Sequence, residues 1–220
     1  MRLVCIADTH NLQSNKKKRP KIPEGDVLIF AGDICKLGYS FKNRDDLHLE
    51  QIERFNTFLG KQPHEHKIVI AGNHDFWLEH HSILECQEVL SNATYLQDTS
   101  VTIGGKVFYG SPWQPVYYNW AFNIRRGQPL QAAWSLIPVN TDVLITHTPP
   151  YGVMDETEEH ERVGCKELYE RVDTLRPRVH VFGHVHEGYG VCEHGHTTFV
   201  NASSCNVRYK CVNPAIVVEV

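Results

Sequence analysis

The sequence predicts an α/β fold with a largely parallel core, and three observations predict it. Short apolar runs rich in β-branched residues recur along the 220-residue chain, as expected of strands buried on both faces. Segments with helical spacing lie between several of them, as the crossovers of parallel strands require. No internal repeat, low-complexity linker or break in composition divides the chain, so residues 1–220 read as one domain.

Each element has its own signal. Leu3–Ala7 is an apolar run that stops at Asp8, and Val27–Ala31 is another that stops at Gly32-Asp33. Asp45–Leu59 places Leu47, Ile52, Phe55 and Leu59 near helical spacing, with Asp residues to cap it and Gly60 to end it. Lys67–Ala71 is a third strand, followed by a helical pattern over His81–Leu90. Val101–Ile103 and Val107–Tyr109 read as a hairpin-like addition, with a second such addition expected at the C-terminus. Val143–Thr146 precedes the helix Cys165–Leu175, whose stripe is Leu168, Val172 and Leu175 and which Pro177 closes. Val179–Phe182, Thr197–Asn201 and Ala215–Val220 complete the strands.

Composition removes several classes of function. The 22 Lys and Arg against 26 Asp and Glu give a net charge of −4, which offers no electrostatic case for nucleic-acid binding. No apolar run approaches the roughly 18 residues of a membrane span, and Leu3–Ala7 is too short for the core of a signal peptide. The seven cysteines are odd in number and lack a C-x-x-C spacing, so free thiols in a cytoplasmic protein are expected. One local exception to the neutral balance is the basic stretch Lys16–Lys21, read as a solvated loop, with steering of an anionic substrate as the alternative.

Chemistry enters at the carboxyl ends of the strands. Five of them end in Asp8-Thr9-His10, Gly32-Asp33, Gly72-Asn73-His74-Asp75, His147 and Gly183-His184-Val185-His186. The carboxyl edge of an open α/β sheet is where ligands bind. Asp8, His10, Asp33, Asn73, His147, His184 and His186 are too many groups for one tetrahedral ion. They suit two divalent metals that share a carboxylate, with the mixed N/O set favouring Mn, Fe, Zn, Co or Ni over Mg or Ca; manganese is the first choice. Paired ions of this kind activate a bridging water and clamp the attacking and leaving oxygens of an in-line displacement, the chemistry of phosphoester hydrolysis. His74 is then free to contact the phosphoryl oxygen or protonate the leaving group. Asp75 is expected to accept from its other ring nitrogen.

These motifs, in this order and with Gly38 closing a Gly-Asp-x₄-Gly pattern, resemble the calcineurin-like metallophosphoesterase superfamily. The stretches Val4–His10, Ile68–His74, Tyr109–Pro115, His180–Gly190 and Val200–Ser203 are similar to its metallophosphoesterase-domain-containing (MPPED) branch, often grouped with class III cyclic-nucleotide phosphodiesterases. The resemblance implies a four-layer αββα sandwich of two mixed sheets. It implies that Asp8, His10 and His186 hold one metal, that Asp33 bridges, and that Asn73, His147 and His184 hold the other, with His74 on the phosphate.

The expectation is a dinuclear-metal phosphodiesterase acting on a small phosphodiester or nucleotide, cyclic nucleotides by resemblance alone. A phosphomonoesterase or protein phosphatase is the enzymatic alternative, and a metal-binding interaction scaffold the non-enzymatic one. Outside the motifs, Trp113, Tyr117, Tyr118, Trp120 and Phe122 followed by Arg125-Arg126 read first as loop packing and second as a stacking wall for a base. Asn11, adjacent to the first motif, is a candidate cleft residue. His64, His66, His80, His81, His194 and His196 read as surface residues without a role.

Overall fold

The computed structural model describes residues 1–15, 17–36 and 42–220; Lys16, and Gly38 of the second motif, fall outside them. Along the chain run β1 (Arg2–Ile6), β2 (Val27–Ala31), α1 (Asp45–Leu59), β3 (His66–Ile70), α2 (Phe76–His80), α3 (Ile83–Val89) and β4 (Thr94–Tyr95). Then come β5 (Thr99–Ile103), β6 (Lys106–Ser111), β7 (Gln114–Pro115), β8 (Asn123–Ile124), α4 (Gln128–Ser135) and β9 (Val143–Thr146). The last are α5 (Lys166–Leu175), β10 (Val179–Phe182), β11 (Gly190–His194), β12 (Thr197–Asn201) and β13 (Ile216–Glu219).

Two large sheets form among the described residues, in the orders β13-β1-β2-β3-β4 and β11-β12-β10-β9-β6-β5. Their centres are parallel, and the antiparallel pairs lie at their edges: β13 on β1, β11 on β12 and β5 on β6. Alternation along the strands assigns the layers. Leu3, Cys5, Val27, Ile29, Ile68 and Ile70 meet Phe108, Val143, Ile145, Val179, Val181 and Val200 in a core between the sheets. Val4, Ile6, Leu28, Phe30 and Val69 point the other way, onto Ile52, Phe55 and Leu59 of α1 and Phe76 and Leu78 of α2. Tyr109, Leu144, Phe182 and Phe199 pack outward on Leu130 and Trp134 of α4 and Leu168 and Val172 of α5. The result is an αββα sandwich.

Some expectations are corrected. The C-terminal strand is no hairpin: it crosses the molecule to pair with β1, Leu3 opposite Val218. The helix expected from His81 starts at Ile83, because the Ser82 hydroxyl accepts from the Glu85 N–H while the Glu85 carboxylate accepts from the Ser82 N–H. His64 is buried and not a surface residue. The two sheets are joined where the site lies: the Ala7 N–H donates to the Ala202 carbonyl at 2.9 Å and the Ser204 N–H to the Ala7 carbonyl at 2.9 Å. No helix among the described residues is long and apolar enough to cross a membrane.

Candidate metal centre

The strand ends that carry the motifs come from both sheets, β1, β2 and β3 from one and β9 and β10 from the other, and they converge on one floor. Two glycines permit the approach. A Cβ on Gly72 would fall on the Asp33 carboxylate and lie 2.7 Å from the His147 ring, and one on Gly183 would fall on the Asp8 carboxylate. Beyond β1, β2 and β10 the backbone turns sharply: Asp8, His10, Asn11, Asp33 and His184 have φ of 51°, 43°, 65°, 60° and 70°. Left-handed backbone at residues other than glycine is costly and collects at functional sites.

The ligand-type atoms form two groups around Asp33. In the first, His186 Nε2 lies 3.6 Å from Asp8 Oδ1 and 3.3 Å from His10 Nε2, and His10 Nε2 lies 3.8 Å from Asp33 Oδ2. In the second, His147 Nε2 lies 3.4 Å from Asp33 Oδ1, and Asn73 Oδ1 lies 2.9 Å from His147 Nε2 and 2.7 Å from His184 Nδ1. Asp8-His10-His186, His10-Asp33-His74 and Asp8-Asp33-His147 each bring three candidate ligand atoms within 4.8 Å of one another. His74 thus stands at ligand distance too, its Nε2 3.9 Å from Asp33 Oδ2.

Backbone carbonyls orient three of these rings. His10 Nδ1 donates to the Cys35 carbonyl at 3.1 Å, His147 Nδ1 to Ala31 at 2.9 Å and His186 Nδ1 to Asn206 at 3.1 Å. A ring whose Nδ1 carries the proton turns a bare Nε2 inward when neutral. Two such nitrogens 3.3 Å apart repel unless a proton or a metal ion lies between them, and the carboxylates on either side favour either cation. This donor set therefore fits divalent metal ions, with hard oxygen and borderline imidazole ligands and no thiolate.

The electrostatics agree. Burial pushes the Asp33 carboxyl up, but His147, His74 and His10 outweigh it and hold the group well below the usual range. Burial depresses His147, yet Asp33 overrides this and raises it to about 9. His10 and His184 are pulled by burial to about 4 and about 3. The centre thus sets buried carboxylates, held ionised, among imidazoles of which His10 and His184 stay neutral.

Asp75 is corrected. Its carboxylate is committed to the backbone, accepting from the N–H groups of Gly72 at 2.8 Å, Cys35 at 2.9 Å, Asp33 at 3.1 Å and Ile34 at 3.2 Å. It fastens the turn after β2 to the turn after β3 and so sets where Asp33 and His74 stand. The Trp113–Phe122 segment divides. Trp113 donates to Asp98 at 2.7 Å and packs on buried Phe122. Trp120 lies over His74, ring centroids 4.3 Å apart. Trp120, Tyr117 and Arg126 line a cleft of about 570 Å³ whose floor includes Asp33, Asn73, His74, His184 and His186. Asn11 does not line it.

Two site residues escape the strand-end search. The Ser203 hydroxyl donates to Asp8 Oδ2 at 2.8 Å, leaving Oδ1 toward His186; it lies just past β12, so the same rule applied to that strand finds it. Tyr209 sets its ring edge against His10, centroids 4.7 Å apart, and His186, 5.6 Å. Nothing in the local pattern marks it.

The calcineurin-like phosphoesterase family matches residues 1–188. Metallophosphoesterase domain-containing protein 1 of Homo sapiens is 44% identical over 242 residues, covering 99% of this chain and 70% of that protein. UPF0046 protein T07D4.2 of Caenorhabditis elegans is 37% identical over 249 residues, covering 100% of this chain and 60% of its own length. The crystal structure of phosphopantetheinyl hydrolase from Mycobacterium tuberculosis superposes with a TM-score of 0.59 at 15% identity, covering 94% of this chain and 90% of that one. Another solved structure reaches 0.66 at 18% identity, over 91% and 89%. At these identities the structural likeness is one of fold.

Proposed function

Because the chain belongs to the calcineurin-like phosphoesterase family, and is on that ground and on its clustered ligands a metal-dependent phosphoesterase, we propose that it hydrolyses phosphodiesters at a two-metal centre. The observation that carries this reading is the pair of nitrogen and oxygen groups on either side of Asp33, at the floor of an open cleft. Asp8, His10 and His186 on one side of Asp33, and Asn73, His147 and His184 on the other, would hold a pair of divalent ions, manganese by preference, which would activate a water and polarise the phosphoryl oxygens.

The protein's own residues do the rest. Asp33 serves both groups of ligands. His74, held under Trp120 and edge-on to His10 at 4.7 Å, presents its ring to the phosphate and the departing oxygen. The rim favours a singly charged substrate. Glu159, Glu161 and Glu187 line it, Arg162 is engaged with Asp155 and Glu156, and Arg126 donates to the carbonyls of Val163 and Gly164. A monoester dianion meets more repulsion there than a diester monoanion. Cyclic nucleotides are one diester class of suitable size for the cleft.

The test compares kcat/KM for bis-p-nitrophenyl phosphate and p-nitrophenyl phosphate with Mn²⁺. A larger value for the diester is expected. A larger value for the monoester would replace this reading with a phosphomonoesterase. Bound Mn²⁺ with turnover of neither would point to a scaffold.

A further inference from the structure

The segment Cys205–Cys211 forms one wall of the centre. The Asn206 carbonyl holds His186 Nδ1 at 3.1 Å, and Tyr209, at φ 53°, covers His10 and His186. The loop is tightly wound: the Asn206 N–H donates to the Lys210 carbonyl at 3.0 Å and the Tyr209 N–H to the Asn206 carbonyl at 2.8 Å.

At its neck Cys205 and Cys211 are antiparallel bridge partners. The flanking bonds, Asn206 N–H to Lys210 and Val212 N–H to Ser204, make them a pair without hydrogen bonds of its own. Such partners have Cα atoms about 4.5 Å apart, inside the window of about 4.4–6.8 Å that a disulfide spans. As antiparallel partners the two side chains lie on the same face, close enough for each thiol to shift the other's titration. Cys205 is buried and Cys211 half-buried, so an oxidant reaches the pair through Cys211. The neighbouring Cys205 also holds Cys211 below the usual thiol range, which favours its thiolate.

We propose that Cys205 and Cys211 are a modification site, a thiol pair that a hydroperoxide converts to a disulfide, closing residues 206–210 into a covalent lobe that fixes the His186 acceptor and Tyr209 over the centre. The Cys211 thiolate attacks hydrogen peroxide; a sulfur–oxygen bond forms as the oxygen–oxygen bond breaks, and hydroxide leaves. The Cys205 thiol yields its proton to that hydroxide, and its sulfur attacks the Cys211 sulfenic acid. The sulfur–sulfur bond forms, the sulfur–oxygen bond breaks, and the expelled hydroxide takes up the proton that Cys211 first released. The two sulfurs together lose two electrons, and one peroxide becomes two waters. The effect on the centre rests on the metal-site reading above; formation of the bond does not.

The experiment treats the reduced full chain with hydrogen peroxide, maps disulfides by mass spectrometry after alkylation, and titrates both redox forms with Mn²⁺ alone. A Cys205–Cys211 linkage is expected, reversed by dithiothreitol and absent from Cys211→Ser. The oxidised form should bind Mn²⁺ about threefold or more tightly, short of the roughly 10–100-fold that partners of ligating histidines control. Both thiols still open to alkylation at peroxide doses that oxidise Cys192 would overturn the proposal, as would a linkage that leaves Mn²⁺ affinity unchanged. Linkage and affinity shift without hydrolysis of bis-p-nitrophenyl phosphate would support it and overturn the phosphodiesterase reading.

Discussion

Asp33 lies within 3.4–3.9 Å of three imidazoles that serve different strands, so its loss disturbs both groups of ligands together. Asp33→Asn should lower hydrolysis on the order of 100-fold or more and reduce bound Mn²⁺, measured by metal analysis beside the rate. His74→Ala should lower kcat roughly 100-fold, the low end of general-acid contributions, with metal content retained. If the variant loses its metal, His74 is a ligand, as its distance to Asp33 permits. Asp75→Asn should act on folding: an amide cannot accept from four N–H groups so placed, and orphaned buried donors cost about 1–3 kcal/mol each. Urea unfolding of the metal-free protein reads that loss. His180, buried beside Phe182 and Phe199 with its Nε2 2.8 Å from Thr146 Oγ1, is pulled by burial to about 3. Below its unfolded pKa near 6.5 the unfolded chain takes up the proton and the folded one does not. His180 therefore makes stability fall as pH drops from about 6.5 toward 3, by up to about 1.4 kcal/mol per unit. His180→Leu should flatten that slope; an unchanged slope would show that other groups dominate it.

At the scale of elements, one pattern carries most of the site: apolar run, stop, polar group. It locates β1, β2, β3, β9 and β10 and the side chains they deliver, because strands buried on both faces are mostly apolar along their length and polar groups gather where they leave the sheet. The α1 range is legible to the residue, since acidic first turn, stripe and Gly60 agree. Helix α2 is hidden because its five residues abut the Gly72–Asp75 motif and offer less than two turns of pattern. Helix α4 does carry a signal, but a short one: Pro129 sits in its first turn and Leu130 and Trp134 are one turn apart. Two-residue strands such as β4 and β7 carry no periodicity to read. Tyr209 and the Asn206 carbonyl act on His186 across a loop with no repeat, so only the fold reveals them. Helix α3 illustrates an element decoupled from chemistry. Ser82→Ala removes its reciprocal cap and should cost about 1 kcal/mol, visible as a lower urea midpoint, while Mn²⁺ affinity stays unchanged.

For the whole molecule, local pattern could not divide the strands between sheets. Every residue of β2, β9 and β10 is buried, and uniform burial does not say which side chain faces which layer. The αββα order came from resemblance, and the junction at Ala7, Ala202 and Ser204 is what puts the two carboxyl edges together. Metal bound there ties one sheet to the other. At free Mn²⁺ 100-fold above Kd the folded state should gain about 2.7 kcal/mol, a rise in Tm of roughly 5–10 °C for a chain of this size. EDTA should reverse it and Asp33→Asn should abolish it; an equal rise in that variant would place the ion elsewhere. The left-handed turns at Asp8, His10, Asn11, Asp33 and His184 also bear on stability. Glycine at position 10 or 184 would relieve about 1–2 kcal/mol of backbone strain, set at His10 against the packing and the Cys35 hydrogen bond that the buried ring makes. Each such substitution removes a candidate ligand as it relaxes the backbone, so at these positions the chain carries strain and metal-binding capacity in the same residue and cannot shed one while keeping the other.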